Sequence, residues 1–359
     1  MTKKELLGIQ IQKPDAAVFL QAKQNWETLA KPIDGLGDLE EMICRIASIR
    51  GTVDPNRKKA LLIFCADNGV VEEGVTQTDK SVTAQVAALM GARKSSVGIM
   101  LKDYPADILA VDIGIDSAKQ IPGILHAKVR RGTGNIALEP AMTTEECLRA
   151  IETGIGLMQD LKEKGYGIVA TGEMGIGNTT TSTAVLCALT GEDAGKVTGR
   201  GAGLSDAGLQ KKIAVIKQAL QLHGLDKQAA LTGEYALHVL TCVGGLDLAG
   251  LTGAFIGGAI CHIPVVIDGL ISAVAAYLAQ LIVPGCADYM IASHNGREQG
   301  CALVLQKLGL RAILHANLAL GEGSGAVLLF PLLDMAESLY RCGTRFSDTA
   351  IPAYERQPS

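Results

Sequence analysis

Cysteine pairing is missing from this sequence. Its 359 residues include nine Cys, but no Cys-x-x-Cys pair and no Cys/His cluster at zinc spacing. An odd, unpatterned set argues against a zinc module or a disulfide framework. It predicts reduced thiols in a cytoplasmic protein, most of them small core residues. Residues 1–11 carry no signal-peptide pattern. No apolar run has the length of a membrane span: the longest, 269–283, covers 15 residues and includes Gln280, which predicts a buried helix. A basic excess is lacking too. The net charge of −4 argues against a nucleic-acid surface with its concentrated basic stripe, so any anion pocket must be built locally from backbone amides and one or two basic side chains. No Gly-x-Gly-x-x-Gly follows the first apolar run, against a dinucleotide fold, and no Lys closes the glycine loop at 172–177, against a P-loop. No Ser/His/Asp or metal-ligand constellation emerges, so neither a metal nor a cofactor is expected. His294 and His315 stand singly beside apolar runs, as core or loop histidines do.

What the chain does have is apolar sequence and glycine. It is 48% hydrophobic and 19% charged, enough to bury a sizeable core. Its 42 glycines exceed the ordinary share of roughly 7% and cluster beside charged residues at the ends of apolar runs. Leu61-Leu62-Ile63-Phe64-Cys65-Ala66 leads into Asp67-Asn68-Gly69, and Ile108-Leu109-Ala110-Val111 into Asp112-Ile113-Gly114. Gly167-Ile168-Val169-Ala170 leads into Thr171-Gly172-Glu173. Ile263-Pro264-Val265-Val266-Ile267 precedes Asp268-Gly269, and Met290-Ile291-Ala292 precedes Ser293-His294-Asn295-Gly296. Such short continuous runs describe strands buried on both faces. Helical stretches lie between them at 81–101, 143–164 and 206–223. This alternation predicts an α/β fold: a parallel, Rossmann-like β-sheet covered by helices on both faces, with ligands at the carboxyl ends of the strands. Helices are also expected at 15–31, 38–50 and 325–340. Residues 1–52 with about 337–359 are expected to form a small helical domain, built from both chain termini, on an α/β core at 53–336.

Four segments could carry chemistry. In Thr171-Gly172-Glu173-Met174-Gly175-Ile176-Gly177-Asn178-Thr179-Thr180-Thr181 a strand ends, glycines free the backbone amides, and a hydroxyl-rich helix start follows. That suits an anion; an ordinary glycine turn with Asn/Thr capping reads the same way. Gly199-Arg200-Gly201-Ala202-Gly203, followed by Lys211 and Lys212 on a helix, suggests a phosphate cradle, although a lysine pair also suits a solvated helix face. In Leu320-Gly321-Glu322-Gly323-Ser324-Gly325-Ala326 a carboxylate sits between glycines in apolar sequence, which packing does not explain. Apolar surroundings would raise its pKa and a helix start would lower it. Asp67-Asn68-Gly69-Val70 with Ser81-Val82-Thr83-Ala84-Gln85 joins a strand-end carboxylate to a helix entry; function and capping both fit.

Together these motifs, with Ile267-Asp268-Gly269, resemble the nicotinate-nucleotide–dimethylbenzimidazole phosphoribosyltransferase family of cobamide biosynthesis. They follow the family's order from about Pro32 to Ala336. The resemblance implies transfer of phosphoribose, with inversion, from nicotinate mononucleotide to a lower-ligand base such as 5,6-dimethylbenzimidazole. It implies Glu322 as general base and Glu173 as a second active-site carboxylate. Gly175, Gly177, Gly201, Gly203 and Lys212 would hold the phosphoribosyl group, with Asn178, Thr179, Ser293 and Gly323 beside it, and Gln85 and Met174 would line the base pocket. A homodimer whose sites include residues of the neighbouring subunit is expected, with small-molecule substrates and neither nucleic acid nor membrane as partner.

One departure concerns the amino end. The family often reads Pro-x-Gly-Ser-Leu-Gly-x-Leu-Glu where this chain has Pro32-Ile33-Asp34-Gly35-Leu36-Gly37-Asp38-Leu39-Glu40. Two other readings keep the fold: a purine or phenolic acceptor with the same donor, and a catalytically silent nucleotide-binding subunit, against which the intact Glu322 argues.

Overall fold

A computed structural model describes residues 1–54, 58–226 and 229–356. Among these residues, six strands form one all-parallel sheet: β1 (Lys58–Ala66), β2 (Ala106–Gly114), β3 (Leu125–His126), β4 (Tyr166–Met174), β5 (Val265–Ile267) and β6 (Met290–Ala292), in the order β3-β2-β1-β4-β5-β6. The expected apolar runs are the five longer strands. The two-residue β3 has no such run to announce it. The chain first builds outward from β1 through β2 to β3, then returns to place β4 on the other flank of β1. Connections therefore leave β1 and β4 in opposite directions and open a crevice above their carboxyl ends, the usual ligand position in such sheets.

Strand alternation divides the core in two. Ala60, Leu62, Phe64 and Ala66 of β1 face a layer that includes helices Thr144–Glu163, Leu246–Cys261 and Leu270–Ile282. Leu61, Ile63 and Cys65 face the other layer, with helices Ala16–Glu27, Asp38–Arg50, Ser81–Gly91 and Ser324–Cys342. Local signals start many of these helices. Thr143 and Glu146 form a capping box, and Ser205 and Thr232 each accept a backbone amide at the N-cap. The run at 269–283 is indeed a buried helix, Leu270–Ile282, and among the described residues no helix is long and apolar enough to cross a membrane. Cys44, Cys65, Cys147, Cys187, Cys242, Cys286 and Cys301 are buried free thiols, whereas Cys342 is exposed.

Two details depart from the sequence reading. The single helix expected at 81–101 is two, Ser81–Gly91 and Ser96–Met100. Arg93 between them adopts φ +55°, and Ser95 caps the second helix by accepting the Gly98 amide. Several glycines also serve helix packing rather than ligand loops. A Cβ on Gly154 would lie 2.1 Å from the Gly250 carbonyl oxygen, and one on Gly253 would lie 2.0 Å from that of Ile151, so helices Thr144–Glu163 and Leu246–Cys261 cross nearly backbone to backbone.

Residues 28–30 pair with residues 344–346 beside the sheet, whereas Leu6 and Met1 pack on the opposite layer. The Ala30 amide donates to Thr344 O (2.8 Å) and the Phe346 amide to Thr28 O (3.0 Å). Trp26, Ile43, Phe330 and Tyr340 share their apolar cluster with Leu61, Ile63 and Cys65 of β1. In the departing turn, Asp34 takes φ +52° where the family pattern has glycine, a conformation Asp tolerates better than most residues. Arg356 donates to both Asp34 carboxylate oxygens, and buried Glu40 accepts from Lys31 (2.7 Å) and the Leu36 amide (2.8 Å).

Candidate active site

Above the crevice, β1 ends in buried Asp67 and Asn68, and β4 in Glu173 and half-buried Met174. Gly175 allows the two strand ends to close up: a Cβ there would lie 2.5 Å from Ala66 O and 2.6 Å from Asp247 Oδ2. Gly177, at φ +93°, turns the chain into helix Asn178–Thr190. Its first side chains point inward. Asn178 Nδ2 donates to Glu173 Oε2 and to Asp247 Oδ2 (3.0 Å), and Thr179 Oγ1 accepts from Lys212 Nζ (2.8 Å).

Asp247, at the start of helix Leu246–Cys261, was missed by the sequence reading. It sits in Val243-Gly244-Gly245-Leu246-Asp247-Leu248-Ala249, a carboxylate beside glycines in apolar sequence, which is the signal that singled out Glu322. Burial pushes Glu173 up to about 8, with Asn178 pulling down and the Asp247, Asp268 and Glu298 carboxylates adding to the rise. Burial likewise pushes Asp247 up to about 6, against hydrogen bonds from Asn178 and the Leu248 amide.

Glu322 reaches this place through an unusual backbone. Gly321, Glu322 and Gly323 have φ of +83°, +58° and +81°, and such a run leaves Glu322 in a region that non-glycine residues seldom enter. The loop lies directly over β4, since a Cβ on Gly172 would be 2.7 Å from Glu322 O. On its inner side, a Cβ on Gly321 would be 3.0 Å from Glu173 Oε1, so the loop runs alongside Glu173. The half-buried Glu322 carboxylate accepts from the Val97 amide (3.1 Å) in the first turn of helix Ser96–Met100.

Below the loop is a second buried pair. Asp268 Oδ1 accepts the Ala326 amide (3.0 Å) at the start of helix Ser324–Cys342, and the His294 ring occupies the space a Cβ on Gly325 would need. Burial raises Asp268 and lowers His294, each opposed by the other's charge. Ser293 is fully buried; its hydroxyl donates to Ile267 O (2.6 Å) and lies 2.9 Å from His294 Nδ1. Ser293 thus supports the loop's foundation and has no open face to the crevice.

The lysine pair divides. Lys211 is exposed, whereas Lys212 is 1% exposed and points at Thr179 and Gly201, a Cβ on which would lie 3.6 Å from Nζ. Burial lowers Lys212 to about 8, opposed by the Glu298 carboxylate. Gly201 and Gly203 both have positive φ, and Gln77 Nε2 donates to Gly203 O. These groups bring two positive-φ glycines together with one buried basic side chain, a combination that can receive an anion. Gln85 does not join the cluster: it is exposed and donates to Ser81 Oγ (3.2 Å), while Thr83 on the same helix turns inward to accept the Ile176 amide (3.1 Å). Among the described residues no three His, Cys, Asp or Glu side chains converge to hold a metal ion. A cleft of about 270 Å³ between helices Ala16–Glu27 and Asp38–Arg50, lined by Trp26, Lys31 and Glu40 among others, lies apart from the strand ends.

Known proteins share this architecture. A family profile described as phosphoribosyltransferase matches residues 11–351. The chain is 44% identical over 332 residues, 92% of its length and 93% of the other's, to the nicotinate-nucleotide–dimethylbenzimidazole phosphoribosyltransferase of Acetivibrio thermocellus. It is 41% identical over 356 residues, 99% of each chain, to the protein of the same name from Ruminiclostridium cellulolyticum. The crystal structure of CobT from Thermus thermophilus superposes with a TM-score of 0.85 at 35% identity, over 92% of this chain and 98% of that one.

Proposed function

The chain belongs to the nicotinate-nucleotide–dimethylbenzimidazole phosphoribosyltransferase family, and from that premise we propose how its residues transfer phosphoribose from nicotinate mononucleotide to a benzimidazole base. The observation that carries the reading is the Gly321-Glu322-Gly323 loop laid over β4 beside Glu173. It brings two carboxyl groups from distant parts of the chain to the mouth of the crevice, in different surroundings.

The leaving group makes modest demands. In nicotinate mononucleotide the glycosidic nitrogen is a pyridinium, so when the bond to the anomeric carbon breaks, the electron pair neutralises the ring and no acid is needed. What remains is to hold the phosphoribose, align the base and take up a proton. Lys212, Thr179 and the amides around Gly175, Gly177, Gly201 and Gly203 would hold the phosphate. Met174 and Gly323 would border the base. One imidazole nitrogen attacks the anomeric carbon opposite the departing pyridine, which inverts that carbon. The proton on the other imidazole nitrogen passes to Glu322, an acceptor already held by the Val97 amide. Glu173 would position the sugar.

A homodimer belongs to this reading. Leu89, Ile99, Met100, Leu328 and Met335 are exposed on three neighbouring helices beside the Glu322 loop, a patch that a second copy would cover, bringing its side chains to the otherwise exposed Gln85.

The test is incubation of purified protein with nicotinate mononucleotide and dimethylbenzimidazole, following nicotinate and the α-linked nucleotide. Release that depends on added base is expected, and Glu322→Gln should retain substrate binding while losing about 100-fold or more of turnover. No release with benzimidazoles, purines or phenols would refute the transferase reading, and near-normal turnover of Glu322→Gln would refute the base.

A further inference from the structure

Asp247 is wholly buried behind Glu173, and one nitrogen, Nδ2 of Asn178, donates to both carboxyl groups. Asp247 has no room to withdraw. Its Oδ1 accepts the Leu248 amide (2.9 Å), and a Cβ on Gly175 or Gly245 would come within 2.6 or 2.4 Å of its oxygens. The other charged groups facing Glu173 are Asp268, paired with His294, and Glu298, which faces Lys212. All act on Glu173 as carboxylates. Two carboxylates joined through one neutral amide and shut off from water repel each other strongly, so they hold one proton between them.

We propose that Asp247 is a positioning residue that keeps Glu173 protonated, so that Glu173 enters the reaction as a neutral hydrogen-bond donor beside Glu322, the acceptor. Oε2 of Glu173 is taken by Asn178, which leaves the proton on Oε1, the oxygen beside Gly321. From there it can be donated to a sugar oxygen of the phosphoribosyl group. Environment divides the labour between the two glutamates; burial favours the neutral Glu173, and Asp247 reinforces that division without touching substrate. The consequence for turnover rests on the proposed transferase reaction; the protonation itself is measurable without any substrate.

Infrared spectra of the ligand-free protein, recorded across pH for the wild type, Glu173→Gln and Asp247→Asn, test this. A protonated-carboxyl band is expected in the wild type at neutral pH and absent from Glu173→Gln. In Asp247→Asn the midpoint for its loss should fall by about one pH unit or more, since one like charge has been removed. Steady-state kinetics supply the second readout: Asp247→Asn should lose about twofold in kcat at neutral pH and about tenfold above the wild-type midpoint, and regain it as the pH is lowered. Absence of a Glu173-dependent band in the wild type overturns the proposal whether or not the variant folds. So does an unmoved midpoint, or a kcat loss of the same size at every pH. A wild type without turnover would sink the transferase reading and leave the band to decide this one.

Discussion

Glu173 and Lys212 are held in the same dry interior, and burial acts on them in opposite directions. Glu173 is driven toward its neutral form, and Lys212, at about 8, loses its charge within the working range of an enzyme. For Lys212 the sign is simple. The lysine is charged below its folded-state value and neutral above it, so attraction for the donor's phosphate falls as pH rises through about 8. The KM for nicotinate mononucleotide should climb above that pH with kcat less affected. Initial rates against donor concentration at several pH values check this, and a KM flat up to pH ~10, the ordinary lysine value, would remove Lys212 from the cradle. Glu322 could be picked from the sequence because glycines on both sides left packing no explanation for it. Asp247 stood in similar sequence and was not singled out, because the groups that make it part of the site, Asn178 and the end of β4, lie far from it in the chain. Only the resemblance chose Lys212 over Lys211; the residue pattern alone could not, because which of two adjacent lysines is buried depends on what packs against the helix.

At the scale of elements, helix Leu246–Cys261, which carries Asp247 in its first turn, crosses helix Thr144–Glu163 at close glycine contacts. Gly154→Ala should destabilise the protein by about 1–3 kcal/mol, because its methyl group would meet backbone at 2.1 Å. Gly156→Ala on the same helix meets nothing within 4 Å and should be neutral or stabilising by about 0.5–1 kcal/mol. Urea denaturation of both variants would distinguish a packing contact from a general intolerance of alanine. The long strands and most helices were legible because apolar runs and N-caps are local signals. The break after Gly91 was not: Gly91 and Gly123 are in backbone contact, a meeting of segments distant in sequence that no propensity records. The same holds for mid-helix glycines, whose partners belong to another helix.

For the whole molecule, the exposed apolar side chains on helices Ser81–Gly91, Ser96–Met100 and Ser324–Cys342 are the test of assembly. The purified protein should sediment as a dimer, and Leu328→Glu with Met335→Glu should yield a monomer with much reduced turnover. A wild type that sediments as a monomer at assay concentration would count against shared sites. The order of the strands carries one more consequence. β1 acquires its inner neighbour β4 only after about a hundred intervening residues, and the Glu322 loop settles on β4 about a hundred and fifty residues later still. Seating the Glu322 loop over β4 is therefore among the least local events of folding, and it belongs to the slow, long-range part of the process.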